Sequence, residues 1–346
     1  MATVPTEIKK GPLAGSNSRR ARIGSILQRQ GALIALVILV LFGAFRYDNF
    51  LSTYNVMSVV RFNSMIGLIA LGMTFVIMTG GIDLSVGSVA ALSSVIAALV
   101  SPNGPWIGLI VPVLVGALIG FVNGIIITKM RILPFITTLA MLLAARGLAL
   151  IFGNNTSVAV SYDSGFTTIG QGNIFEMGEF IGIPIPAVIL ALAYILGVVM
   201  LNYTRYGRHI LAVGGNEEAT RLMGLPVDRI KIAVYTFSGM MAGLAGVILA
   251  SQFGAGQPLE GNGWELSAIA AVVVGGTLLT GGVGSVASTL VGVLLLGLIF
   301  NILNFENGKG FISLSAYWQS VIRGAFLLIV VLLQNRLTHL TRRNQT

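Results

Sequence analysis

Cysteine is absent from the chain, and histidine occurs only twice, at His209 and His339. Disulfides, thiolate nucleophiles and cysteine-ligated zinc are therefore excluded, and so is a histidine-rich metal centre. Charge is nearly as scarce. Charged residues make up 10% of the 346 positions, where an ordinary soluble protein carries about a quarter. So little charge cannot coat a water-facing surface, which rules out a soluble enzyme or a disordered chain. The Gly-x-x-x-x-Gly-Lys-Ser/Thr pattern is missing too, and Gly308-Lys309-Gly310 lacks its context. The chain therefore cannot hold a nucleotide in a P-loop of its own. If it drives transport, another chain must supply the energy. Carboxylates are almost missing from the apolar segments, where Asp83 stands nearly alone. An ion-coupled transporter would need several there, and a lipid-modifying enzyme would need them clustered at an interface. No catalytic residue, metal site or cofactor is expected.

What fills the chain instead is apolar. Hydrophobic residues reach 55%, the mean hydropathy is +0.89, and glycine occurs 44 times without the Gly-X-Y period of collagen. Crossing the hydrocarbon core takes about 20 apolar residues. Ten candidate spans satisfy this, near 31–47, 57–79, 84–101, 106–128, 134–153, 184–202, 232–251, 266–281, 285–304 and 317–335. The third and eighth are short and interrupted by glycine, so eight spans with re-entrant segments is the alternative count. The expected fold class is an all-α polytopic membrane protein. The apolar run at 31–45 has no small-residue cleavage site and leads straight into Arg46, so it is expected to stay as a span.

The net charge of +9 could suggest nucleic acid, but its placement argues for topology. With the N-terminus inside, sixteen basic residues fall on the cytoplasmic side. They are Lys9, Lys10, Arg19, Arg20, Arg22 and Arg29, then Lys129 and Arg131, then Arg205, Arg208, Arg221, Arg229 and Lys231, then Arg336, Arg342 and Arg343. Only Arg46 and Lys309 fall outside, and such asymmetry fixes orientation. Both termini are thus expected in the cytoplasm. The implied organisation is a basic tail (1–30), a membrane domain (31–335) and a second basic tail (336–346). Within the membrane domain, 154–183 is an external loop and 203–231 a cytoplasmic one.

Four features stand out. Thr79-Gly80-Gly81-Ile82-Asp83-Leu84-Ser85-Val86-Gly87-Ser88 places an acid and glycines between two apolar runs. Irregular backbone at membrane depth survives only when buried in protein or lining a wet cavity. Asp83 is either a residue of a translocation pathway, with Ser85, or the cap of the helix that starts near Ser85. A similar string, Thr280-Gly281-Gly282-Val283-Gly284-Ser285, lies 201 residues further on. It marks either two related halves or shared turn chemistry. Next, Gly116, Gly120 and Gly124 line one helix face, and Gly239, Gly243 and Gly246 line another. Such faces let helices approach closely, more often within one subunit than between two. Third, Arg146 and Arg323 lie inside spans, where an arginine costs about 2.5–3.5 kcal/mol near the centre, with Asn123, Trp318 and Gln319 adding polarity. Amides, hydroxyls and an aromatic face are the groups that recognise a neutral polyol.

The fourth feature is the segment 216–224. Asn216 is placed to cap a short helix. Glu217 and Glu218 suit the positive end of its dipole, and Glu217 and Arg221 form an i,i+4 pair. Gly224 stops it and Pro226 prevents a restart. Ala219, Leu222 and Met223 form a small apolar patch. A capped helix on a thin cytoplasmic face is what docking onto another protein requires, a solvated turn being the alternative.

Together these strings resemble the permease subunits of bacterial monosaccharide ATP-binding-cassette importers. That family takes ribose, xylose, galactose and galactofuranose, and is related to the branched-chain amino-acid permeases. The resemblance rests on Gly72-Met73-Thr74-Phe75-Val76-Ile77-Met78 running into 79–88, and on Ile132-Leu133-Pro134-Phe135-Ile136-Thr137-Thr138-Leu139-Ala140. It continues through Tyr206-Gly207-Arg208, Ala212-Val213-Gly214-Gly215-Asn216-Glu217-Glu218-Ala219 and 265–277. It covers about residues 50 to 335. The C-terminal half, with Gly281-Gly282-Val283-Gly284 and Asn304-Phe305-Glu306, looks closest to a galactofuranose-type permease. The resemblance implies a cytoplasmic ATPase gripping Asn216, Glu217, Glu218, Ala219, Arg221, Leu222 and Gly224. It also implies a periplasmic sugar-binding protein and a second permease subunit, identical or not, with lipid around the pair and no nucleic acid.

Overall fold

The computed structural model describes residues 15–176 and 182–307, with six isolated positions between 318 and 328; side chains are described from residue 31 onward. Twelve α-helices occur among the described residues: α1 (Gly15–Arg46), α2 (Thr53–Met78), α3 (Val86–Val100), α4 (Pro105–Lys129), α5 (Pro134–Phe152), α6 (Thr168–Gln171), α7 (Ile185–Tyr203), α8 (Arg205–Gly215), α9 (Glu217–Leu222), α10 (Val227–Phe253), α11 (Trp264–Val274) and α12 (Val286–Glu306). Four two-residue strands form two antiparallel pairs: β1 (Val158–Ala159) with β4 (Ala255–Gly256), and β2 (Asn173–Ile174) with β3 (Ile183–Pro184). The molecule is all-α and polytopic, as the hydropathy pattern requires.

Seven described helices are long and apolar enough to cross a bilayer: α2, α3 with its 3₁₀ extension to Asn103, α4, α5, α7, α10 and α12. The apolar part of α1 has the shorter range Gly31–Arg46. That helix runs back to Gly15, so the part of the basic tail from Gly15 onward is helical. The eighth expected span differs most from its sequence reading. Helix α11 stops at Val274, and 275–282 continues as irregular backbone with Gly276, Gly281 and Gly282 at positive φ. Apolarity alone carried the reading to residue 281, whereas paired glycines end the helix first. Most of the tenth expected span, including Gln319 and Arg323, lies outside the described residues.

Prolines and hydroxyls set the helix starts. Pro105 and Pro134 occupy first-turn positions, where the missing N–H costs nothing. Ser52 accepts from Asn55 N, and Ser285 from Ser288 N. Helix α10 forms the axis of the bundle, packed on α2, α3 and α4. The two glycine faces read from the sequence meet here. A Cβ on Gly116 would run into the carbonyl of Gly239, one on Gly239 into that of Gly116, and one on Gly120 into that of Tyr235. Gly246 does the same with Ala90 of α3. Backbone thus lies against backbone along the α4–α10 seam, which makes both glycine faces packing surfaces within one chain.

The candidate translocation and coupling sites

The Asp83 loop sits at depth. Ser238, which contacts it, is the twelfth residue of α10, about 16 Å along that helix at 1.5 Å per residue. Gly80, at φ +78°, turns the chain out of α2, and α3 begins only at Val86. Asp83 is 1% exposed. Its Oδ1 accepts from the backbone N–H of Ser85 at 3.0 Å and from the Ser85 hydroxyl at 2.6 Å. Its Oδ2 accepts from the Ser238 hydroxyl at 2.9 Å. Asn123 of α4 donates through Nδ2 to Ser85 Oγ at 3.1 Å. Thr138 of α5 shares its hydroxyl between Pro134 O at 2.9 Å and Ile82 O at 3.4 Å. Three helices therefore converge by hydrogen bonds on an irregular backbone segment buried inside the protein, one of the two settings in which such backbone is tolerated.

Asp83 does not cap α3, whose cap position is Ser85. Its carboxylate closes the turn through the Ser85 N–H and ties that turn to α10, 155 positions away. Its hydrogen-bond partners are neutral. Two further polar atoms, Asn123 Oδ1 and the Tyr235 hydroxyl, are buried with no protein partner among the described residues. Tyr235 lies against this loop, since a Cβ on Gly81 would overlap its hydroxyl. The structure brings Asp83, Ser85 and Asn123 together, where the sequence had set Asn123 beside Arg146.

Arg146 is not part of that group. It is half-buried, and its guanidinium binds Pro258 O at 2.5 Å, Glu260 O at 2.6 Å and Asn262 Oδ1 at 2.8 Å. It fastens α5 to the loop between α10 and α11. A fork of donors meeting three oxygens offsets the cost of the charge at that depth.

The segment after α7 forms two short helices on one end of the bundle. Thr204 caps α8 by accepting from Gly207 N at 3.3 Å, and Asn216 caps α9 by accepting from Ala219 N at 2.9 Å. Gly224, at φ +81°, ends the turn after α9. Thr220 is buried and donates to Ala212 O at 2.9 Å, which pins α9 onto α8. Tyr206 donates to Ile230 O at 3.1 Å, pinning α8 to α10, and burial pushes its phenol up to about 12. Glu217 pairs with Arg221 at 3.5 Å and with Lys231, and Asp228 pairs with Arg221 at 2.9 Å and Lys129 at 3.0 Å. Opposite these anchors, Leu222 is 83% and Met223 69% exposed, with Glu218 and Ala219 also exposed. The result is a rigid handle with an apolar tip.

Sequence reasoning missed Ser238, Tyr235, Thr220 and Asp228. Ser238 had a signal, a hydroxyl directly before the Gly239 face. Asp228 and Thr220 had none, because their partners are set by how α8 and α9 fold back.

The chain matches the family described as branched-chain amino acid transport system / permease component over residues 55–331. It is 40% identical to the ribose import permease protein of Bacillus subtilis over 323 residues, covering 93% of this chain and 97% of that one. The corresponding protein of Escherichia coli K12 is 39% identical over 324 residues, covering 92% and 98%. The L-arabinose ABC transporter permease protein of Azospirillum brasilense is 37% identical over 350 residues, covering 99% and 97%. No solved structure matches. The apolar helices that cross the bilayer, the buried polar loop at depth and these likenesses along almost the whole chain together make it a multi-pass membrane protein of the branched-chain amino acid transport system / permease component family, a transporter subunit and not an enzyme.

Proposed function

We propose that this chain is the permease subunit of an ATP-driven importer that carries a monosaccharide across the bacterial inner membrane. The observation that carries the reading is end-to-end likeness to permeases named for ribose and for L-arabinose. Both are aldopentoses, so a pentose is the first substrate to test. The pathway is assigned to the neighbourhood of Asp83, Ser85 and Asn123, whose oxygens and amide suit a neutral polyol. A periplasmic sugar-binding protein delivers the substrate, and a second permease subunit completes the pathway. The basic-residue asymmetry supports cytoplasmic termini and a cytoplasmic α8–α9.

A cytoplasmic ATPase docks on α9. The work of hydrolysis has to move helices, and α9 is pinned to the bundle while presenting Leu222, Met223 and Glu218 outward. Truncating Leu222 to alanine removes a side chain whose full burial in a partner groove is worth about 1.5–3 kcal/mol, roughly tenfold to a hundredfold in affinity. Glu218→Lys opposes the helix dipole at the same contact. Both variants are expected to insert normally and to lose ATPase association. Co-purification with the ATPase, and hydrolysis in liposomes with loaded binding protein, tests this. Wild-type values for both variants would remove α9 from the interface.

A further inference from the structure

The two glycine strings that lie 201 residues apart in sequence meet in space. Met78, the last residue of α2, accepts the backbone N–H of Gly282 at 3.0 Å. A third glycine pair, Gly214-Gly215 at the end of α8, is set into this contact. A Cβ on Gly214 would overlap both Met78 O and Gly282 N. One on Gly281 would stand 2.8 Å from Gly80 N and 3.1 Å from Gly214 O. One on Gly282 would stand 3.0 Å from Gly215 Cα. Gly80, Gly281 and Gly282 all have positive φ. Three chain segments thus touch backbone to backbone, with no side chain between them to flex.

The place of this contact gives it a role. On one side is α8, which carries α9 through the Thr220–Ala212 hydrogen bond. On the other side, Met78 opens the turn that leads to Asp83 and from there to Ser238 of α10. Gly282 belongs to the irregular stretch between α11 and α12. We propose that the junction of Gly214 with Met78 and Gly282 is the mechanical link of the importer. Displacement of α8–α9 moves the end of α2, the Asp83 loop and the 275–285 stretch as one body. Close-packed interiors transmit displacement because they lack slack to absorb it. Gly214 acts through its neighbours and is a positioning residue. The proposal rests on α9 being where the ATPase engages.

A matched pair of variants tests it in the assembled importer, with its ATPase and binding protein in liposomes. Gly215→Ala meets open space, while Gly214→Ala wedges the junction. Gly215→Ala is expected to behave as wild type. Gly214→Ala is expected to keep its ATPase and sugar-stimulated hydrolysis, while sugar moved per ATP falls about tenfold or more, the size of an ordinary coupling energy. Normal sugar per ATP in Gly214→Ala, or equal losses in both variants, would overturn the link. Should Gly214→Ala fail to assemble, a second measurement decides. The chain has no cysteine, so Gly215→Cys with Thr280→Cys gives a unique spin-label pair across the junction, both positions being exposed. A label distance unchanged between nucleotide-free and ATP-bound states supports the proposal, and a changed distance overturns it. That distance is read independently of where the ATPase docks. Failure of the Leu222 and Glu218 variants to weaken association would refute the docking site, and with it the entry point of the motion, while the label distance still reads whether the junction moves as one body.

Discussion

The inner and outer spans differ in the opposite sense to a soluble core. The most apolar 18-residue stretches of α2, α3 and α10 have mean hydropathies of 1.7, 1.5 and 1.8, with 72%, 72% and 67% of their residues buried. Those of α4, α5 and α7 are more apolar, at 2.5, 2.0 and 2.3, yet only 33%, 22% and 33% of their residues are buried. Lipid tails are as apolar as leucine, so apolarity gives no reason to leave the outside. What draws a helix inward is close packing and hydrogen bonding. Ser88, Ser93 and Ser94 of α3, and Ser238 and Ser251 of α10, are all buried. Leucine and isoleucine occur both inside and outside, and what the inner spans add is small and hydroxyl residues.

The largest expected effect follows from breaking the inner seam. Gly239→Val would drive a branched side chain into the carbonyl of Gly116, where neither backbone can yield without separating α4 from α10. Overpacking of this kind costs about 3 kcal/mol. The variant is expected to accumulate poorly in membranes and to lose its monodisperse peak in fluorescence-detected size exclusion. A stable, active Gly239→Val protein would mean that the inner packing is looser than its glycines imply.

Next comes the exception on the outer side. Helix α5 is the least buried of the spans, but Arg146 binds it to three oxygens of the 258–262 segment. Arg146→Ala would leave those acceptors to water and loosen α5. A hydrogen bond to a charged group is worth about 1.5–3 kcal/mol, and a loss near the lower figure is expected at this half-exposed site. Arg146→Lys should restore only part of it, because one ammonium cannot reproduce the fork. Denaturant titration of the three proteins in detergent checks this. Full recovery with lysine would reduce the tie to simple charge.

Much of this was legible in the sequence, for physical reasons. Spans α4, α5, α7 and α12 were plain because each is long and strongly apolar. The α9 helix was plain because Asn216, Glu217, Glu218 and Gly224 are local signals acting within a single turn. The glycine faces of α4 and α10 gave close packing but not each other as partners. Asp83 was visible as an anomaly, yet its bond to Ser238 was not, since it depends on three-dimensional register. The end of α11 at Val274 was misjudged because Leu278 and Leu279 keep the window apolar after the backbone has turned. The meeting of the three glycine pairs could not be read from spacing at all.

The smallest expected effects lie on the perimeter, and they test whether its three helices form one class. Leu118 of α4 is 61% exposed and Leu143 of α5 is 67% exposed. If both face acyl chains, truncation to alanine exchanges contacts with lipid for contacts with lipid. Each variant should then stay within about 0.5 kcal/mol of wild type, as substitutions outside packed regions do. Lipid-reconstituted unfolding of each single variant reads this in the separated chain. The same pair measured in the assembled importer sharpens the comparison. Helix α5 is less apolar than α4 or α7 and still less buried, which makes it the outer helix with the weakest lipid signature. An unchanged Leu143→Ala in the assembly places α5 with α4 among the lipid-facing spans. A loss of about 2 kcal/mol or more, the usual cost of cutting a buried leucine to alanine, confined to Leu143→Ala, would split the perimeter. Helix α5 would then face a second permease subunit, and only α4 and α7 would remain lipid-facing.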